Sequence, residues 1–220
     1  MRLLTAPGVH RPISDTWMLA AALREQGLPP GATLLDLCTG TGALAVWAAL
    51  RLGAEATAVD VSRRAVLVAR MNARLNGVRV RAVRGDLFAA VAGRRYDAIV
   101  ANPPYVPAAE DTDELPTRGL RRAWDAGRDG RVVLDRICAQ APHHLQAGGR
   151  MLLVHSSVNG AQATVERLAA AGLEADVVAR HRGPLGPLMT SRAAALEARG
   201  LLRPGQRDEE VVVVRARRSP

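Results

Sequence analysis

Two short segments concentrate the residues that could do chemistry: Asp36-Leu37-Cys38-Thr39-Gly40-Thr41-Gly42 and Asn102-Pro103-Pro104-Tyr105, each at the end of an apolar run that reads as a strand. In the first, Gly40-Thr41-Gly42-Ala43-Leu44-Ala45 fits G-x-G-x-x-G/A, and Asp60 closes the next apolar run about twenty residues on, a pattern suited to an adenosine-bearing cofactor. A nicotinamide dinucleotide and S-adenosylmethionine both fit the glycines. Asp36 separates them. A pyrophosphate on the following helix N-terminus would meet this carboxylate as a like charge, at a cost of about 4 kcal/mol for a separation of about 4 Å and an effective dielectric of about 20. The ammonium and sulfonium of S-adenosylmethionine turn the same carboxylate into an attraction. Asp60 would accept the ribose hydroxyls, with Val61 beside it. In Gly85-Asp86-Leu87-Phe88 a carboxylate can take the adenine amine while Leu87 covers the ring. Asp86 could equally cap the next turn, Thr39 and Thr41 could be turn formers, and Cys38 a small core residue.

The second segment carries the acceptor chemistry. It lies beyond the carboxyl end of a strand, where open α/β sheets hold their ligands. Pro103 and Pro104 fix φ and withhold two backbone donors, so the loop is stiff and its carbonyls are free to act as acceptors. An amide or aromatic amine is a poor nucleophile because its lone pair is delocalised, and methylating it requires acceptors that hold its hydrogens. The Asn102 side-chain oxygen and the Pro103 carbonyl could supply that pair, with Tyr105 walling in the planar group. Positioning and preorganised electrostatics would suffice, so no metal is expected.

The elements that must position these residues alternate between strand and helix. Strand patterns run over 33–37, 54–59, 78–83, 96–101, 150–155, 173–179 and 210–215; helix patterns run over 42–52, 62–75, 131–144 and 160–171. Ser62 reads as an N-cap and Asn76-Gly77 as a stop. This is an α/β doubly wound sheet of seven strands, mostly parallel with an antiparallel last strand and helices on both faces. The single domain over 1–220 divides into a lining segment (1–26), a core (27–182), a variable connection (183–209) with a short helix near 191–198, and the last strand and tail (210–220). The variable connection reads as surface.

Composition bounds the rest. A chain of 220 residues buries roughly 70% of its unfolded surface, enough for one sizeable domain. No apolar run reaches the roughly 18 residues of a membrane helix, and the first residues are too short for a secretory signal. Cys38 and Cys138 have no metal spacing, which points to a reduced, cytoplasmic protein. The net charge of +9 comes entirely from arginine, with no lysine. It admits a nucleic-acid partner as second choice, without any dense basic run interleaved with aromatics.

With these residues in view, the chain resembles the HemK/PrmC group of class I methyltransferases, which methylate a glutamine side-chain amide, typically in the Gly-Gly-Gln loop of translation release factors. The resemblance rests on Asp36 to Gly42, Asp60, Gly85-Asp86-Leu87, Asn102 to Pro107, the stretch 123–130 (Ala-Trp-Asp-Ala-Gly-Arg-Asp-Gly), and the N-terminal 9–16, in which Thr16 would contact the cofactor. His10 and Ser14 stand where a tyrosine and a glutamate are frequent, and Ala126 where a glycine is. The resemblance implies a Rossmann-like seven-stranded class I methyltransferase sheet and the donor S-adenosylmethionine. It further implies a compact form without the helical domain that bacterial members use to grip release factors, and a small activating partner. Methylation of an exocyclic amine of adenine or guanine, or of a small molecule, remains the alternative acceptor chemistry.

Overall fold

The computed structural model describes residues 1–117 and 119–220. Seven strands form one sheet: β1 (Thr33–Leu37), β2 (Glu55–Asp60), β3 (Val80–Arg84), β4 (Tyr96–Ala101), β5 (Leu145–Ser156), β6 (Glu174–Pro184) and β7 (Asp208–Arg217). Their order is β3-β2-β1-β4-β5-β7-β6. β1 to β5 pair in parallel, and β7 runs antiparallel between β5 and β6. The last strand is therefore inserted next to the edge, and β6 forms the edge itself.

Successive side chains of a strand face opposite sides, and the sheet uses both. Leu35, Leu37 and Ile99 enter a core with α4 (Val132–His144) and α5 (Ala161–Ala170), while their neighbours Leu34 and Val100 enter a second core with α1 (Ser14–Glu25), α2 (Ala43–Leu52) and α3 (Arg63–Leu75). Burial on both faces explains why these strands read as continuous apolar runs. Ser62 caps α3 by accepting the Ala65 N–H at 3.4 Å.

The main differences from the sequence reading lie in the second half of the sheet. β5 begins at Leu145, because Gly148 and Gly149 let the chain continue in the sheet past a register shift opposite Tyr96 and Ala98. β6 and β7 extend to Pro184 and back to Asp208, fastened by the cross-strand pairs Arg180–Glu210 and Arg182–Asp208. Between them lie two short helices, α6 (Pro187–Ser191) and α7 (Ala193–Ala198), where one was expected. Contrary to a surface connection, this insertion has its own core of Leu185, Met189, Ala193, Leu196 and Leu202, packed on Tyr105 and Val106. No described helix is long and apolar enough to cross a membrane.

Candidate active site

A cavity of about 1180 Å³ opens at the carboxyl ends of β1, β2 and β4. Its cofactor side is built by Asp36 and the turn after β1, by Asp60 and Val61 after β2, and by Asp86 and Leu87 after β3. Asn102 to Tyr105 form the facing wall, with Thr16 beside them. Thr39, Gly40, Thr41 and Cys38 line the turn itself, Cys38 with a left-handed φ of 56°. Gly42 departs from the expectation: it stands behind the wall. A Cβ there would come 2.7 Å from the Ala69 Cβ, so this glycine lets α2 start against α3.

Asp36 is buried and holds itself in place with one oxygen. Oδ2 accepts from the Thr39 hydroxyl and from the Ala45 N–H at 3.2 Å, while Oδ1 has no partner among the described residues. Burial pushes its pKa up to about 7, with those two hydrogen bonds opposing the rise and Asp60 adding to it. A buried carboxylate with an orphaned oxygen is suited to an ammonium group. Asp60 accepts the Gly40 N–H at 2.9 Å on one oxygen and the Ser62 N–H at 2.8 Å on the other. Each oxygen keeps a lone pair for a hydroxyl, so both carboxylates fit a cationic, ribose-bearing donor. Asp86 does not cap the 3₁₀ turn that follows it; Oδ2 instead accepts from Arg136 at 2.6 Å.

The wall opposite is held by the first turn of α1, a contribution that sequence inspection missed for Asp15 and placed at the cofactor for Thr16. The Asn102 amide nitrogen donates to Thr16 Oγ1 at 3.3 Å, and the same hydroxyl accepts the Ile13 N–H at 3.3 Å. This orientation leaves Asn102 Oδ1 without a donor among the described residues. The Tyr105 hydroxyl donates to the buried Asp15 carboxylate, and burial plus that charge hold the phenol well above its usual range. At the back of the loop, the Tyr105 carbonyl accepts from Asn159 Nδ2 at 2.8 Å, and Arg131 anchors Asn159 through its backbone carbonyl. A Cβ on Gly130 (φ 76°) would fall 2.2 Å from that Tyr105 oxygen, which gives the glycine-rich stretch after the loop its reason. The Val106 N–H donates to the Trp124 carbonyl and the Val106 carbonyl accepts the Ala126 N–H, and Arg192 of the insertion reaches both the Pro107 carbonyl and the buried Asp125 at 2.6 Å.

The N-terminal residues cross the cofactor side as a strap. Asn76 bonds the Arg2 N–H and carbonyl, and Asn72 bonds the Leu4 N–H and carbonyl. Asn72 also donates to the Thr41 carbonyl at 2.8 Å.

A profile of the methyltransferase small domain family matches residues 13–182. The chain belongs to that family. As a methyltransferase it is 33% identical over 193 residues to an archaeal chain from Methanocaldococcus jannaschii named, provisionally, as a protein N5-glutamine methyltransferase, covering 88% of this chain and 95% of that one. It is 37% identical over 186 residues to the release factor glutamine methyltransferase of Mycolicibacterium smegmatis, covering 82% of this chain and 66% of that one. To the ribosomal protein uL3 glutamine methyltransferase of Bradyrhizobium diazoefficiens it is 44% identical over 125 residues, 54% of this chain and 39% of that one. The chain thus spans nearly all of the archaeal relative and less than two thirds of the bacterial ones. Among solved structures, a Pyrococcus furiosus methyltransferase superposes with a TM-score of 0.63 at 18% identity, over 96% of this chain and 88% of that one. The E. cuniculi Mtq2–Trm112 complex matches with a TM-score of 0.63 at 24% identity, over 96% and 99%. These likenesses establish the class I methyltransferase fold, and the resemblance to the HemK/PrmC group stands.

Proposed function

We propose that the chain transfers a methyl group from S-adenosylmethionine to the side-chain amide nitrogen of a protein glutamine, the acceptor being the Gly-Gly-Gln loop of a translation release factor. The donor supplies, when bound, a methyl on a cationic sulfur that is open to in-line attack by a nitrogen lone pair. Asp36 and Asp60 would hold it, with Cys38 to Thr41, Asp86 and Leu87 lining the rest of its site. Asn102 Oδ1 and the Pro103 carbonyl hold the two amide hydrogens of the acceptor and turn its lone pair toward the methyl; neither oxygen has another partner among the described residues. As the new bond forms, the departing N–H proton is held at one of these oxygens before passing to water. The donor and acceptor groups are fixed before reaction, so little reorganisation remains at the transition state.

The observation that carries this reading is the hydrogen bond from Asn102 to Thr16, which leaves the amide oxygen without a partner among the described residues. The protein acceptor is favoured over a nucleobase by the far wall. In a chain of charge +9, the lining residues supplied by 181–211 include Glu209 and apolar side chains such as Leu188 and Met189 but no arginine. The arginines that line the cavity, Arg64, Arg122 and Arg136, come from other segments, so this wall offers a phosphodiester little beyond His181. The names of the bacterial relatives point to translation proteins as acceptors, and a cytoplasmic location belongs to the same proposal. A small partner belongs to the same reading, since the E. cuniculi neighbour is a complex with Trm112.

Incubation with methyl-labelled S-adenosylmethionine and a peptide containing Gly-Gly-Gln, followed by mass spectrometry, should place one methyl on the glutamine. Label appearing only in RNA or DNA would reject the acceptor, and full turnover by the isolated chain would remove the need for a partner.

A further inference from the structure

The stretch from Val61 to Gly85 contains Arg63, Arg64, Arg70, Arg74, Arg79, Arg81 and Arg84 and no acidic residue. It folds into α3 and the edge strand β3, with all seven arginines exposed. Arg64, Arg70 and Arg84 spend donors on the carbonyls of Pro7, Ala82 and Val61. Among the described residues none of the seven forms an ion pair, and the nearest acids are engaged or apart. Asp86 pairs with Arg136, Asp60 is taken by backbone N–H groups, and Glu55 at the start of β2 makes no ion pair. The opposite edge of the same sheet behaves differently. There Arg180, Arg182, Arg215 and Arg217 each face a carboxylate across the β6–β7 ladder. A general bias toward arginine in the chain would load both edges alike; the missing acids at the β3 edge are a property of that surface.

Between α3 and β3 runs a groove of about 540 Å³ lined by Arg70, Arg74, Arg79 and Arg81. Arg70 and Arg74 recur about 6 Å apart along α3, and Arg79 and Arg81 about as far apart at the start of β3; Arg81 is in register with Thr57, and Ala82 beside it packs in the core with α3, so these guanidinium groups flank the β3 edge from both faces of the sheet. Repeated, unneutralised guanidiniums along an open groove match a polymer with a regularly charged backbone. No aromatic side chain lies in the stretch to stack on a base, so recognition would be of phosphates and independent of sequence.

We propose that the α3–β3 edge is an RNA-docking surface that grips the phosphate backbone, separate from the methyl-transfer cavity. The RNA is proposed here as a partner held on the β3 side of the sheet, while the loop proposed to hold the acceptor follows β4. The competing occupant is an acidic protein that would also cover the exposed Leu67, Met71 and Leu75 on α3.

The test is fluorescence anisotropy of the full chain with a short labelled RNA hairpin across roughly 50 to 200 mM salt. Four phosphate contacts predict a slope of log K against log salt of about −3. The variant Arg74→Gln/Arg79→Gln/Arg81→Gln should flatten that slope by about 2 and weaken binding at least tenfold at the low-salt end, with its melting temperature and methyl transfer to a peptide unchanged. The control Arg180→Gln/Arg182→Gln/Arg217→Gln should leave the slope as it was. Equal loss in both variants would mean diffuse attraction to net charge and would overturn the proposal. So would binding of poly-L-glutamate with a steep slope while the RNA fails to bind, which would assign the face to an acidic polypeptide.

Discussion

The Tyr105 hydroxyl donates a hydrogen bond to the Asp15 carboxylate, joining the end of the reaction loop to a helix 90 residues earlier in the chain. Thr16, the next residue of that helix, takes the amide of Asn102 at the other end of the loop. One helical turn thus sets both ends of the Asn-Pro-Pro-Tyr device.

Tyr105→Phe keeps the ring and removes the donor, leaving a buried carboxylate with only the Ser14 hydroxyl. Stability should fall by about 1–3 kcal/mol and kcat by about tenfold to a hundredfold, while donor affinity holds. Thermal melts paired with steady-state kinetics and a calorimetric titration check this. A variant that loses donor affinity as strongly as turnover would contradict a role on the acceptor side.

Asn102→Ala should lower kcat by about 10²–10³ with nearly normal donor binding, by analogy with removing one preorganised polar contact. Thr16→Val should cost less, about tenfold, because the amide remains but is free to turn over. If instead Thr16→Val mainly weakens the donor, its hydroxyl serves the cofactor, as the sequence alone suggested.

Donor binding should depend on pH through Asp36. Its pKa near 7 in the free protein means that a cationic ligand must displace a proton at lower pH. Affinity should rise about tenfold from pH 5 to 6, about fivefold from 6 to 7, and less than twofold from 7 to 8. In the unliganded protein the sign reverses for stability. A carboxyl whose pKa is raised on folding keeps its proton after the unfolded chain has lost it, so its contribution declines as pH rises from about 4 to about 7. Titrations at several pH values test the first statement and melts the second; Asp36→Asn should flatten both curves. A wild-type binding curve already flat from pH 5 to 8 would exclude Asp36 as the ammonium partner.

Gly130→Ala drives a methyl into the Tyr105 carbonyl and the Asn159 amide and adds a non-glycine residue at φ 76°. Melting should drop and turnover fall at least a hundredfold, while binding of S-adenosylhomocysteine persists. Wild-type turnover in this variant would show that the loop does not depend on its backing.

Arg192→Met strips one of two arginines from the buried Asp125, leaving Arg121 as its partner. A cost of about 1.5–3 kcal/mol is expected, because Asp125 loses one charge-assisted hydrogen bond but keeps Arg121, with faster proteolysis inside 185–207. Unchanged cleavage there would mean that the insertion is held by its own apolar core alone.

The strand tips were legible because a tip is a local matter: Asp36, Asp60 and Asn102 follow apolar runs directly, and a few residues suffice to place them. Gly42 was read for the cofactor alone, yet one glycine pattern serves two needs, backbone approach to a ligand and contact between helices, and only packing shows the second. Asp15 was illegible since its partner is remote in sequence. The insertion after β6 escaped for another reason. Helices of five and six residues show no full period of apolar side chains, and β6 and β7 gain their outer residues from arginine–carboxylate pairs that hydropathy counts as exposed polar chain.

Asn72 carries a practical corollary. Its one side chain grips Leu4 on one side and the turn at Thr41 on the other. Whatever disturbs residues 2–4, a purification tag or a trimmed leading peptide included, will be transmitted to the donor cradle, so measured affinities belong to the particular amino-terminal sequence assayed.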